Sequence, residues 1–124
     1  MAQNESFIAL CPYASRFSFE IKILPLNHSA RYENCSDQEL SSFAELFKET
    51  LTRLRKVLDN PPYNFVLHTA PVQKDDETDS IFHWHLSIFP KLTTLAGFEK
   101  GTGVYINPTL PEEAAETLRN AHIE

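Results

Sequence analysis

The clearest pattern along the chain is an alternation of apolar and polar residues from 81 to 90, in the run Ile-Phe-His-Trp-His-Leu-Ser-Ile-Phe-Pro. Successive side chains of a β-strand point to opposite faces. One face of this predicted strand therefore carries His83, His85, Ser87 and Phe89. The other face, which is predicted to pack on the core, carries Phe82, Trp84, Leu86 and Ile88.

This strand is also the first candidate for chemistry. It places two of the chain's five histidines about 7 Å apart on one face. Imidazole can act as nucleophile, general base or metal ligand near neutral pH. The alternative is a structural histidine with a backbone or water partner.

Shorter runs predict the rest of a sheet. Residues 7–11 are apolar and stop at a proline, and residues 17–24 alternate with a period of two before another proline. That alternation places Phe17 and Phe19 on the core face. The remaining predicted strands cover residues 64–69 and 104–107.

Two helices are predicted. Ser36 can cap a helix, with Glu39 completing a capping box, and the helix stops before Pro61. Its apolar stripe is predicted to contain Leu40, Phe43, Ala44, Phe47, Leu51, Leu54 and Leu58. A second helix covers residues 111–119 and has proline in its first turn. The order of elements predicts an α+β domain, an antiparallel sheet with one long helix across a face and a short C-terminal helix.

Two further segments are predicted to be loops. Residues 73–80 are polar and acidic, and they lack the glycine and the ligand spacing of a calcium loop. All three glycines of the chain lie within residues 97–103, which is a weak phosphate-loop signal. A plain turn between strands is the alternative for the glycine segment.

Composition limits the class of protein. The length of 124 residues and 42% hydrophobic content predict one domain covering residues 1–124. With 11 basic against 17 acidic residues, the net charge of −6 argues against nucleic-acid binding. No secretory or membrane-spanning pattern is visible, so we expect a soluble cytoplasmic protein that contacts no membrane. Cys11 and Cys35 do not have the spacing of a disulfide framework or a zinc knuckle.

Five motifs together resemble a known family. They are CPYASRF, LPLNH, PPYNFVLHTAP, FHWHLSIFPKL and AGFEKGTGVYINP. They resemble the C-terminal half of the galactose-1-phosphate uridylyltransferase family, which belongs to the histidine-triad superfamily, and the similarity covers residues 7–119. In that family a histidine of a His-Pro-His-Gly-Gln segment in the N-terminal half forms a uridylyl-histidine intermediate. This sequence has no such segment.

The resemblance implies a histidine-triad-like domain that binds a nucleotide sugar or a hexose 1-phosphate, with reduced or absent catalysis on its own. It also implies a homodimer, since the family's second half leaves a sheet edge and apolar surface to cover. Two alternatives stay open. One is an active nucleotidyltransferase or nucleotide hydrolase that works as a homodimer, and the other is a non-catalytic subunit that docks onto a separate N-terminal half.

The resemblance also implies roles for particular residues. His85 occupies the middle position of the triad, which is the nucleophile's position in single-domain members, and Ser87 replaces the third histidine. In the active alternative, Ser87 and His83 orient the nucleophile. The segment that contacts the hexose in the family matches Phe98, Glu99 and Gly101.

Zinc is a possible cofactor on the same grounds. Some members bind zinc through two cysteines upstream of the first strand and two histidines. The histidines match His28 and His83, whereas the two upstream cysteines are missing from this sequence. Structural zinc takes four ligands, so the resemblance implies an incomplete site. Other members use the positions of His68 and of the histidine strand for iron or zinc, but their third histidine aligns with Ser87 here.

Overall fold

The computed structural model describes residues 1–72 and 76–123. Its centre is an antiparallel sheet of five strands, which are β1 (Ala2–Gln3), β2 (Phe7–Leu10), β3 (Ile21–Pro25), β4 (Tyr63–His68) and β5 (His85–Pro90). Their spatial order is β1-β2-β3-β5-β4. The helices are α1 (Asp37–Val57), α2 (Asp76–Ile81), α3 (Gly97–Thr102) and α4 (Pro111–Arg119), and a 3-10 turn covers Tyr32–Asn34. The predicted α+β architecture is confirmed.

The long helix α1 covers one face of the sheet. The core between them contains Phe7, Ala9, Ile21, Ile23, Leu46, Leu54, Trp84, Leu86, Ile88 and Leu118. Strands β2, β3 and β5 each contribute every second residue to this core, as a period of two requires. The opposite face of the sheet carries Lys22, His68, His85, Ser87 and Phe89. It is called the open face below, because no long helix among the described residues covers it.

Helix α1 begins and ends as its sequence predicts. The Ser36 hydroxyl accepts a hydrogen bond from the Glu39 amide at 3.2 Å, which satisfies one of the free donors of the first turn. After Val57 the chain reverses through Asp59 and Asn60, whose φ angles are 55° and 56°. Asparagine and aspartate tolerate this left-handed conformation better than most residues do.

The buried line of α1 differs from the predicted stripe. The fully buried residues of the helix are Leu46, Thr50 and Leu54, and only Leu54 belongs to the predicted set. Thr50 is accommodated because its hydroxyl donates to the Leu46 carbonyl at 2.7 Å, so no polar atom is left unpaired. Phe43 and Phe47 lie at the margin of the core and are partly buried.

Trp84 lies at the centre of an aromatic cluster just before β5. Its ring centroid is 5.7 Å from that of Phe7, 5.2 Å from Tyr32 and 5.5 Å from Phe43. Its amide donates to the Ser29 carbonyl at 2.9 Å. This cluster fixes the main chain at the start of the strand that carries His85.

The second predicted strand is shorter than its alternation suggests. Strand β3 begins at Ile21, and residues 17–20 form turns in which Phe19 has a φ of 59°. The physical reason is the buried Glu20, whose carboxylate accepts hydrogen bonds from the amides of Arg16 at 2.7 Å and Phe17 at 3.4 Å. The prediction that Phe17 faces the core is wrong. Its ring packs at 5.4 Å on Phe89 instead, on the open face.

Three other local predictions are wrong. Residues 104–107 form no strand, and residues 76–81 form helix α2 within the predicted acidic loop, of which residues 73–75 lie outside the described residues. The glycine segment is mostly the short helix α3. Only Gly103, with a φ of 73° at the C-terminal cap, uses a left-handed conformation.

The C-terminal helix α4 has the predicted bounds, with Pro111 in its first turn. The short strand β1 has no counterpart among the predictions. In the described part of the chain, no helix combines the length and apolar character that crossing a membrane requires.

Candidate functional site

The open face brings two histidines together across neighbouring strands. His68, the last residue of β4, pairs with His85, the first residue of β5. Their rings stack with centroids 4.6 Å apart and an angle of 21° between planes. The predicted candidate His85 therefore lies beside His68, which the resemblance connected only with an incomplete metal site.

His85 has a defined hydrogen bond at one ring nitrogen. Its Nδ1 lies 3.1 Å from the main-chain carbonyl oxygen of His83. A carbonyl oxygen can only accept, so this geometry assigns the proton to Nδ1. In the neutral ring the lone pair then lies on Nε2, the arrangement that a nucleophile or base requires.

The environment of His68 disfavours its charged form. The pKa of its imidazole lies below the ordinary value, mainly because partial burial disfavours the charged form, and then because of the charges of His85, Lys22 and Arg16. In residues 1–72 and 76–123, no carboxylate forms an ion pair with Lys22 or Arg16. A chain of net charge −6 thus places cationic groups together on one face, which suits an anionic ligand.

Ser87 lies two residues further along β5, on the same face as His85. It is 2% exposed and is paired with Lys22 of β3 and Val66 of β4. The predicted sharing of a face by His85 and Ser87 is confirmed.

His83 lies outside β5, because the strand begins only at His85. Its Nε2 lies 2.7 Å from the Pro25 carbonyl oxygen, and its ring centroid is 5.8 Å from that of His28. The predicted strand over 81–90 was therefore too long, since Ile81 ends α2 and the next three residues are irregular. The main-chain carbonyl of His83 accepts the hydrogen bond from His85 Nδ1.

The pair of His28 and His83 does not make a complete zinc site. The Nε2 atom of His28 lies 3.0 Å from the Asp79 carbonyl oxygen, and that of His83 is bonded as described above. The described residues hold no group of three histidines, cysteines or carboxylates that could ligate a metal. Two imidazoles alone do not satisfy the four-coordinate preference of structural zinc, and zinc stays a prediction.

A cavity of about 480 Å³ lies at the far end of the open face. Its walls include Phe17, Ser18, Asn64, Phe89, Glu99 and Ile106. This volume is in the range of small-molecule pockets, which combine apolar walls with a few polar groups.

Of the three predicted substrate-contacting residues, Glu99 lines this cavity, and its Oε2 accepts from the Ile106 amide at 3.3 Å. Phe98 is 59% exposed and Gly101 is exposed, and neither lines the cavity. All three residues lie on α3, and of the three only Glu99 lines the cavity.

Arg16 is a residue of this region that the sequence patterns did not reveal. Its guanidinium lies over the rings of Phe17, Phe89 and Tyr105, at 5.9, 5.9 and 5.5 Å from their centroids. A basic residue in a predicted hairpin loop carries no periodic signal. Only the fold shows that it lies among aromatic rings.

Two characterised proteins match nearly the whole chain in sequence. An ADP-glucose phosphorylase from Arabidopsis thaliana is 36% identical over 121 residues, covering 98% of this chain and 34% of that protein. A galactose-1-phosphate uridylyltransferase from Thermotoga maritima is 34% identical over 129 residues, covering 98% of this chain and 40% of that protein. The chain thus spans about a third to two fifths of these relatives. No protein-family model matches it.

Solved structures support the same relationship. The crystal structure of an ADP-glucose phosphorylase from Arabidopsis thaliana with bound ADP-glucose matches with a TM-score of 0.93 and 36% identity, over 96% of this chain and 39% of that one. A histidine-triad-like protein from Bartonella henselae matches with a TM-score of 0.66 and 12% identity, over 95% of this chain and 81% of that one. The second match shows the fold alone.

Proposed function

Because this chain is homologous to one part of proteins of the galactose-1-phosphate uridylyltransferase family, we propose that it is a nucleotide-sugar or hexose 1-phosphate binding domain. It resembles the C-terminal half of the family and has reduced or no catalysis on its own. The observation that carries this proposal is the open face, where a stacked histidine pair lies next to a half-open cavity, and where Lys22 and Arg16 form no ion pair with any described carboxylate.

Each part of this face suits one part of the ligand. The cationic groups favour phosphate oxygens, whereas the apolar walls and the Glu99 carboxylate of the cavity suit a ring that carries hydroxyl groups. The related ADP-glucose phosphorylase was crystallised with bound ADP-glucose. ADP-glucose and UDP-glucose are therefore the first ligands to test.

Isothermal titration of the chain with ADP-glucose, UDP-glucose and glucose 1-phosphate tests the binding proposal. Saturable binding of at least one of them is expected. A Glu99→Gln variant should weaken binding of these sugar-bearing ligands more than binding of ADP, which is titrated as the sugar-free control. Absence of binding for all three ligands would contradict the proposal.

An active nucleotidyltransferase or nucleotide hydrolase is the second candidate function. The hydrogen bond from His85 Nδ1 to the His83 carbonyl favours it, because it leaves the Nε2 lone pair available. In this reaction, Nε2 attacks the α-phosphorus of a nucleotide sugar. A P–N bond forms while the P–O bond to hexose 1-phosphate breaks, and a second hexose 1-phosphate or water later takes the nucleotidyl group.

Intact-protein mass after incubation with UDP-glucose, and separately with ADP-glucose, tests this candidate. A nucleotidyl adduct should form in the wild type and be absent in His85→Ala. A His122→Ala variant is the matched control, because His122 is exposed near the C-terminus. A spectrum without adduct leaves the non-catalytic binding domain as the function.

Assembly as a homodimer is part of the proposal. Strand β4 lies at one edge of the sheet, and all six of its residues are exposed, including Phe65 at 54%. Exposed edge strands with apolar side chains are templates for pairing with another chain. Light scattering should give a dimer. A monomer that becomes a heterodimer with a separate N-terminal half would support the partner-subunit alternative instead.

A further inference from the structure

The guanidinium of Arg16 is held in place without an acidic partner. Three aromatic rings surround it at 5.5 to 5.9 Å. The nearby Glu20 uses its carboxylate on the main-chain amides of residues 16 and 17. In residues 1–72 and 76–123, no hydrogen bond or ion pair engages the Arg16 guanidinium. Its donors are therefore free for a ligand.

Arg16 lies near both the cavity and the histidine pair of the open face. Two of the rings that contact it, Phe17 and Phe89, also line the cavity. On the other side, its charge is close enough to contribute to the lowered pKa of His68. A ligand that extends from the cavity to the histidine pair would pass this guanidinium.

The chemistry of the Arg16 guanidinium indicates which ligand it binds. Guanidinium presents a rigid planar fork of donors that matches phosphate oxygens, and it stacks on aromatic rings without losing those donors. A side chain already fixed by packing loses less rotamer entropy when it binds.

We propose that Arg16 is a phosphate-binding residue of the open face, and that it anchors the phosphate or pyrophosphate group of the ligand between the cavity and the histidine pair. This inference rests on the proposed function for the identity of the whole ligand. The anion site itself is testable with inorganic pyrophosphate.

Isothermal titration with pyrophosphate and with ADP-glucose, on the wild type and three variants, tests the inference. Arg16→Met keeps an apolar stem against the rings and should lose about tenfold or more in pyrophosphate affinity, as expected for one charge-assisted hydrogen bond. Arg16→Lys keeps the charge without the planar fork and should lose less. Lys48→Met on helix α1, across the core from the open face, matches the change in net charge and should bind as the wild type does. Circular dichroism establishes that each variant is folded.

The outcomes separate this inference from the proposed function. Pyrophosphate binding that depends on Arg16, without binding of a nucleotide sugar, supports the anion site and contradicts the proposed ligand class. If the Arg16→Met variant binds pyrophosphate as tightly as the wild type does, and likewise binds ADP-glucose as tightly, the role of Arg16 is overturned and the proposed function stands. A wild type that binds neither ligand overturns both. If Arg16→Met does not fold, an unchanged affinity in Arg16→Lys is the result that contradicts recognition by the planar fork.

Discussion

Replacement of Trp84 by alanine should remove a large part of the stability of the domain. The side chain is fully buried and contacts the rings of Phe7, Tyr32 and Phe43. Truncation of such a residue costs about 3–5 kcal/mol of unfolding free energy, because buried area is lost and a cavity is left. A small domain is stable by about 5–15 kcal/mol in total.

The indole N–H of Trp84 reduces the loss of unfolding free energy expected for Trp84→Ala. Among the described residues it has no well-aligned hydrogen-bond acceptor, and a buried unsatisfied donor costs about 1–3 kcal/mol. The Cys35 sulfur lies beside it. Burial raises the pKa of that thiol, and the contact with the indole opposes the rise. Removing the N–H recovers part of its desolvation cost, so the net loss for Trp84→Ala should be about 3 kcal/mol.

Trp84→Phe separates the two effects. It keeps a ring in the cluster and deletes the unsatisfied donor, so the loss should be about 1 kcal/mol. Urea unfolding followed by far-ultraviolet circular dichroism gives both values. Tyr13→Ala is the control, because Tyr13 is 90% exposed and its loss should change stability by less than about 0.5 kcal/mol. Equal losses for Trp84→Phe and Trp84→Ala would refute the reasoning.

Three further variants or measurements test other contacts. Arg53 donates to the carbonyls of residues 118, 119 and 121 at the end of α4, so Arg53→Met should cost about 1.5–3 kcal/mol and speed amide exchange in α4; unchanged exchange would contradict this role. The lowered pKa of His68 means that the fold favours its neutral form. Its stabilising contribution is therefore present above the ordinary histidine pKa and is lost as the pH falls through the lower folded value. His68→Gln should flatten the acidic side of a stability-against-pH curve, and an unchanged slope would count against the shift. Burial raises the pKa of Cys11 to about 11, so iodoacetamide should alkylate the native protein slowly at pH 8 and faster in urea; equal rates would show that the thiol is accessible.

The parts of the fold that were predictable have a local physical cause. Ser36 and Pro111 mark helix starts, because capping and a fixed φ angle act within one turn. Strand β2 was visible because an apolar run stopped at a proline. These signals need no knowledge of distant residues.

The wrong strand bounds occur where a residue is held by a partner that is buried or distant in sequence. The alternating pattern predicted that Glu20 is a solvent-facing strand residue. Its carboxylate is instead buried and closes a turn by accepting hydrogen bonds from main-chain amides. The run from 81 to 90 looked uniform. His83 lies outside the strand, however, and its imidazole contacts the Pro25 carbonyl, 58 residues away in sequence.

The sequence predicts the site residues that share one strand, but it does not predict which residues from other elements lie beside them. His85 and Ser87 followed from the period of two. The stacking partner His68 comes from the neighbouring strand, and Arg16 comes from a turn, so neither relation exists in any sequence window. Residues that meet only through the register of a sheet are invisible to periodicity.

The pairing of His68 with His85 joins an edge strand to a central one. Any chain that adds to the free edge of β4 would restrict the strand that carries His68, and would thereby alter the stacked imidazole next to it. Partner binding and ligand binding would then share a free energy of coupling, and each would change the affinity for the other by the same factor. The affinity of the open face for phosphate would in that case depend on protein concentration.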